Sequence, residues 1–185
     1  AEYLKKNSVN VPFEIHISEI NRIDLVREEL EKTPDLMLLI SNHQSYSEAS
    51  GGIIGYPNLI EHVGCPVLVI PDDSKYSGFK NVVFATDYHP EDIDSLKHMK
   101  TVLGNGDEMQ FTVLHNQKDF EFAEQLKWTG FQEIAKEQSG IKNLQFKLKA
   151  EKDMLHAIEK YADEQQPDLL AILKEKRGFF EQLFN

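Results

Sequence analysis

The chain has 185 residues, 41% hydrophobic and 28% charged, and a formal net charge of −11. A chain of this length buries about 70% of its unfolded surface and needs no disulfide or metal staple. Its acidity leaves no cationic stripe for a phosphate backbone, which argues against nucleic-acid binding, and no apolar run approaches the ~20 residues that cross a bilayer.

The amino terminus, AEYLKKNSVN, lacks the basic and apolar regions of a signal peptide. Residues 13–17 alternate apolar with polar side chains after Pro12, the pattern of a strand. Residues 20–33 carry Ile20, Ile23, Leu25, Val26 and Leu30 at helical spacing, with Ser18 as the expected cap and Pro34 as the stop. LMLLI (36–40) then reads as a strand buried on both faces. A loop, SNHQSYSEASGGIIGYP (41–57), leads to a short helix at about 58–63, and CPVLVIP (65–71) reads as a second doubly buried strand. PDDSKYSG (71–78) is polar and turn-rich, the composition of a linker.

After the linker, NVVFATD (81–87) predicts a strand, and 90–103 a helix with Pro90 in its first turn and Gly104 just past its end. MQFTVLH (109–115) predicts a strand, 120–138 a long amphipathic helix, 144–148 a strand, 152–164 a helix and DLLAIL (168–173) a strand. Strands alternating with helices define an α/β fold with a parallel sheet covered on both faces.

Two stretches repeat. EKTPDLMLLI (31–40) matches EQQPDLLAIL (164–173), with Pro34 and Pro167 lying 133 positions apart. The same offset lays PFEIHI on QFKLKA through Phe13 and Phe146, and Leu25 on Ile158, so strand, helix and strand recur without a gap. On this spacing the chain begins inside one repeat and ends inside the next.

These residues resemble the universal stress proteins in their tandem, UspA-like form. NVVFATDYHPED is similar to the family's first strand with its terminal aspartate, VLH (113–115) to its second, PDLMLLI and PDLLAIL to its fourth, and CPVLVIP to its last. The resemblance implies a doubly wound parallel sheet of strand order 3-2-1-4-5, present as one and a fraction repeats. Residues 1–75 are then the carboxyl-terminal part of a first domain, and 76–185 the amino-terminal part of a second that lacks its last helix and strand.

In the ATP-binding members the fourth strand runs into Gly-x2-Gly-x9-Gly and then Ser or Thr. Glycines there let backbone N–H groups approach the phosphates at a helix start. Laid from Asp35 forward, the pattern places Ile40 and His43 at the first two glycines, Ile53 at the third and Ile54 at the hydroxyl position. Gly51, Gly52 or Gly55 enter only with small shifts, and no shift restores all three. In the second repeat the first two positions hold Leu173 and Lys176. Asp87 matches the family's adenosine-side aspartate, at the carboxyl end of a central strand where doubly wound sheets bind ligands. As a turn residue or a cap for the helix at Pro90, it has an ordinary structural use instead. Asn116 stands where the family carries an apolar residue.

The degenerate cleft expected from the resemblance therefore comprises Asp87, His43, Asn116, Gly51 and Gly52. Neither His43 with Glu48 nor Asp87 with His89 and Asp92 has the close spacing of metal ligands on one element. Cys65, the only cysteine, precedes Pro66 and reads as inert packing; it permits no intramolecular disulfide and fits a reducing, cytoplasmic setting. No G-x-S-x-G elbow frames Ser41, Ser45, Ser47 or Ser50. KEKRGFF (174–180) joins a basic turn to paired aromatics that serve either as core or as a contact surface.

The expectation is a cytoplasmic stress or regulatory protein, not an enzyme, with no cofactor and no metal, acting through contacts with a protein partner whose identity the sequence does not give. The alternatives are an ATP-binding member with at most slow hydrolysis, and a sensor of a small ligand in the same cleft. Residues 53–77 supply the helix and strand that the second repeat lacks; they complete that sheet either within one chain or in a neighbour by swapping, and a homodimer or domain-swapped assembly is the expectation.

Overall fold

The computed structural model describes residues 12, 14–17, 19–41, 60, 62–71, 74–104, 108–117 and 121–173. The chain divides into two compact units, Ala1–Ser74 and Lys75–Asn185.

The second unit is a four-stranded parallel sheet. Its strands are β3 (Asn81–Ala85), β4 (Gln110–Asn116), β5 (Leu144–Lys149) and β6 (Leu169–Ile172), in spatial order β5-β4-β3-β6. Counted within the unit this is 3-2-1-4. The chain leaves the central strand β3 toward one edge, then returns to place β6 on its other side, and the reversal makes β3/β6 the topological switch point. Three helices join the strands: α2 (Pro90–Leu103), α3 (Phe122–Gln138) and α4 (Met154–Gln165).

Side-chain alternation along β3 decides which helix covers which face. Val82 and Phe84 pack with Ile93 and Leu96 of α2 and with Trp128, Phe131 and Ala135 of α3. Val83 and Ala85 point the other way, toward Ile158 and Tyr161 of α4. A sheet covered on both sides is why NVVFA reads as a continuous apolar run. The bounds of α2 follow local chemistry. Pro90 starts it, where a missing N–H costs nothing, and Gly104 ends it at φ 85°, a region that disfavours side chains.

The first unit contains α1 (Arg22–Lys32), β1 (Leu38–Ser41) and β2 (Val67–Ile70), with β1 and β2 paired in parallel as a two-stranded sheet. The repeat offset carries α1 onto residues 155–165, within α4, so helix and following strand recur as expected. Three expectations are corrected. Residues 14–17 form no strand, and Ile15 and Ile17 are 75% and 95% exposed. Their counterparts in β5 pair with β4, whereas 14–17 have no such neighbour among the described residues, and alternation without a ladder does not make a strand. Asn21 caps α1, its side-chain oxygen accepting from the Asp24 N–H at 3.0 Å; Ser18 lies outside the described residues. Finally, β1 and β2 are not buried on both faces, since Leu39 is 59% exposed and Ile70 38%. Of the helix expected at 58–63, Ile60 and His62 are helical while residues 58, 59 and 61 lie outside the described residues, as does 174–180.

Candidate functional site

A cleft lies at the carboxyl ends of β3 and β6, where the switch point opens the sheet. Ala85, Thr86, Asp87, Asp92, Met154, Ile172 and Leu173 line it, around a cavity of about 30 Å³. That is room for a water or two. Among the described residues its lining carries two carboxylates and no cationic side chain.

The turn that follows β3 is held from several directions. The buried Thr86 hydroxyl donates to Asp92 Oδ2 and accepts from the Tyr88 N–H at 2.8 Å. Asp92 Oδ2 also accepts from the His89 N–H at 3.1 Å, closing the first turn of α2. Burial pushes the Asp92 carboxyl above the ordinary aspartate range, and the hydrogen bonds from Thr86 and His89 oppose that rise. Tyr88 sits at φ 52°, a conformation uncommon for a bulky residue. Its ring meets His115 edge-on with centroids 4.5 Å apart, and its hydroxyl donates to Glu124 of α3. Burial, then the hydrogen bond to Glu124, push the Tyr88 hydroxyl up to about 12.

His115, at the end of β4, is buried among these groups. Its Nδ1 donates to the Thr86 carbonyl at 2.8 Å, and its Nε2 lies 3.4 Å from the Gln117 side-chain amide. Trp128 packs against its ring at 5.3 Å. The result is a rigid floor that fixes the backbone carrying Asp87.

Asp87 itself is exposed and lines the cleft. It does not cap α2; that task falls to His89 and Asp92. Asn116 stands level with it, each two residues beyond the paired Ala85 and Leu114. The Asn116 side chain is occupied: it accepts from the Glu151 N–H at 2.8 Å and donates to the Glu151 carbonyl at 3.2 Å, tying β4 to the turn after β5. His43, Gly51 and Gly52 lie outside the described residues.

Thr86, Tyr88, His115 and Glu124 are absent from the sequence-derived site. The nearest signal was His89-x-x-Asp92 ahead of an apolar run, the spacing of a capping pair. Among the described residues, no group of three or more His, Cys, Asp or Glu side chains is placed to hold a metal. Nor is any helix there long and apolar enough to cross a membrane. Burial pushes the Cys65 thiol up, away from the reactive thiolate. Chemically, the cleft can accept hydrogen bonds through Asp87 and seat a small apolar group against Met154 and Ile172. Among the described residues its lining offers an anion no counter-charge.

No protein-family model matches the chain, and no curated protein matches it significantly. Solved structures similar to part of it include two. A universal stress protein in complex with cAMP is 17% identical, over 51% of this chain and 71% of its own, with a TM-score of 0.41. The protein Rv1636 from Mycobacterium tuberculosis H37Rv is 20% identical, over 52% of this chain and 72% of its own, also with a TM-score of 0.41.

Proposed function

We propose that this chain is a universal-stress-protein-like regulatory protein of the cytoplasm, not an enzyme, which acts through protein contacts and without conventional ATP binding. The observation that carries this reading is the lining of the switch-point cleft. Among the described residues two carboxylates and no cation line about 30 Å³, an environment in which a triphosphate meets repulsion where it needs donors. Ile40 and His43 in place of the first two phosphate-loop glycines support it, because a Cβ keeps the backbone from a phosphate.

The test is calorimetric titration of the full chain with Mg-ATP, with AMP and ADP alongside. The expected result is no heat of binding up to millimolar nucleotide. Micromolar binding weakened by Asp87→Ala would overturn the reading.

One observation favours a second reading, in which the cleft holds a nucleotide or another small ligand. The Asp87 carboxylate is exposed on a backbone that Thr86, Tyr88 and Asp92 hold rigid, as a hydroxyl-binding group must be. The same titration separates the two. Assembly as a homodimer, residues 53–77 completing a sheet, belongs to the first reading, and a monomer by light scattering contradicts it.

A further inference from the structure

Beneath the turn that carries Asp87, one hydrogen-bond acceptor faces another. His115 is 4% exposed, and its Nδ1 lies 2.8 Å from the Thr86 carbonyl, which can only accept, so Nδ1 carries a hydrogen. In a neutral imidazole the other nitrogen is then a bare acceptor. Yet Nε2 faces Gln117 Oε1, also an acceptor, at 3.4 Å. A second proton on the ring removes the conflict, since both nitrogens then donate. A neutral ring instead needs the Gln117 amide turned over, with its NH2 toward Nε2.

The surroundings suit a cation. Trp128 and Tyr88 lie against the ring with centroids 5.3 and 4.5 Å away, and aromatic rings attract positive charge. Across the ladder β5 places the apolar Leu148 opposite it. The titratable groups around it are Asp87, Tyr88 and His89 of the turn, Asp92 of α2 bonded to the Thr86 hydroxyl, and Glu124 of α3, which accepts from Tyr88 and from Lys127. Lys127, then Tyr88, hold the Glu124 carboxyl below its ordinary range, and a charge on His115 acts in the same direction. With the Tyr88 hydroxyl pushed up to about 12, the Tyr88–Glu124 bond keeps its protons between about pH 5 and 8, the range in which histidine changes charge. The element that this charge can bias is the turn. Tyr88 holds φ 52°, a conformation a bulky residue keeps only when its neighbours fix it. The bonds that do so are Tyr88 N–H to Thr86 Oγ1, Tyr88 hydroxyl to Glu124, and His115 to the Thr86 carbonyl.

We propose that His115 is a proton-operated switch on the turn that presents Asp87 to the cleft. Protonated, the ring donates from both nitrogens, to the Thr86 carbonyl and to Gln117, and holds the turn closed. Deprotonation turns the Gln117 amide over and leaves a neutral bond to Thr86, roughly half as strong as the charge-assisted one. The Tyr88 backbone is then freer to leave its strained conformation, and Asp87 moves with it. A ligand or partner that uses the Asp87 carboxylate meets it more firmly held at lower pH. The proposal goes beyond the reading above and holds whether or not the cleft takes a nucleotide.

The test is an NMR titration of the full chain between about pH 8 and 5, following the His115 ring, the Gln117 side-chain amide and the backbone amides of Asp87 and Tyr88. The expected result is one midpoint shared by all four. Corrected for its intrinsic rate, the Tyr88 amide should exchange at least about tenfold more slowly in the protonated form, the size of a charge-assisted gain. His115→Gln still offers the Thr86 carbonyl a neutral donor and should abolish the transition at Gln117 and Tyr88. His89→Asn keeps a capping side chain and should leave the transition in place. Glu124→Gln keeps an acceptor for the Tyr88 hydroxyl and should move the midpoint to lower pH, because a counter-charge is gone. A His115 ring that holds one charge state throughout overturns the proposal, as does a titrating ring beside unmoved turn amides. The natural chain alone decides both, should His115→Gln fail to fold. A Tyr88 transition that survives His115→Gln also overturns it, and assigns the response to Asp92 or His89.

Discussion

The same seven-residue motif begins a strand in both units and reaches two different outcomes. PDLLAIL enters a sheet in which β3 waits beside it, and Asp168 closes that junction. PDLMLLI pairs with β2 alone among the described residues, and Asp35 faces solvent. The contrast shows that an apolar run specifies a strand's chemistry while its burial comes from neighbours. Val82 and Phe84 are 1% and 2% exposed between two covered faces, whereas Leu39 is 59% exposed in a two-stranded sheet. Both motif strands have one partner among the described residues, β6 beside β3 and β1 beside β2; they differ in which edge is filled and in how well the faces are covered.

The largest effect that separates the units comes from their cores. Leu96 of α2 is 0% exposed, and Leu96→Ala is expected to cost about 3 kcal/mol in chemical unfolding through lost transfer energy and a cavity. Leu39→Ala is expected to change stability by no more than about 0.5 kcal/mol. Equal costs would mean that the first unit has a core of the same quality, and the contrast would fail.

A smaller effect should appear at the paired aspartates. Asp168→Ala removes two carboxylate–backbone hydrogen bonds and is expected to cost about 1 kcal/mol, the solvent exposure of the carboxylate allowed for. Asp35→Ala should be silent in the same assay. The backbone N–H groups of Asn81 and Lys80 hold the Asp168 carboxyl below its ordinary range. A lowered folded value means stability that is fully present above the unfolded value of about 3.9 and is lost as the pH falls through the folded one. Urea midpoints measured from pH 5 downward should therefore fall more steeply for the natural chain than for Asp168→Asn. Parallel acid limbs would contradict the clamp.

How much of this was legible in the sequence depended on how local each signal was. Helix α2 was read to its ends because Pro90 and Gly104 act on their own backbone. The order of the strands is what the family resemblance implies, and no local pattern carries it; the four described strands of the second unit lie in the order 3-2-1-4. The strand at 13–17 was misread because FEIHI alternates correctly while no described neighbour completes a ladder. Asp87 is singled out in the sequence because it ends an apolar run and matches the aspartate of the resembled family, and it lines the cleft. The floor beneath it was not, since Thr86, Tyr88, His115 and Glu124 come from three elements and their turns, and no sequence spacing announces that they meet. Asn116 was singled out as an oddity in a ligand site; its side chain proves to be engaged by the Glu151 backbone.

The most direct measurement is amide exchange of the chain alone, compared at the repeat-related pairs Met37 with Leu170 and Leu39 with Ile172. A filled edge protects its N–H groups and an open one does not. Leu170 and Ile172 should exchange slowly beside β3, with Met37 and Leu39 faster by at least about a hundredfold, a margin of some 2.7 kcal/mol in opening free energy. Matching rates within each pair would show that the edge of β1 is already occupied, and the contrast between the two units would be wrong.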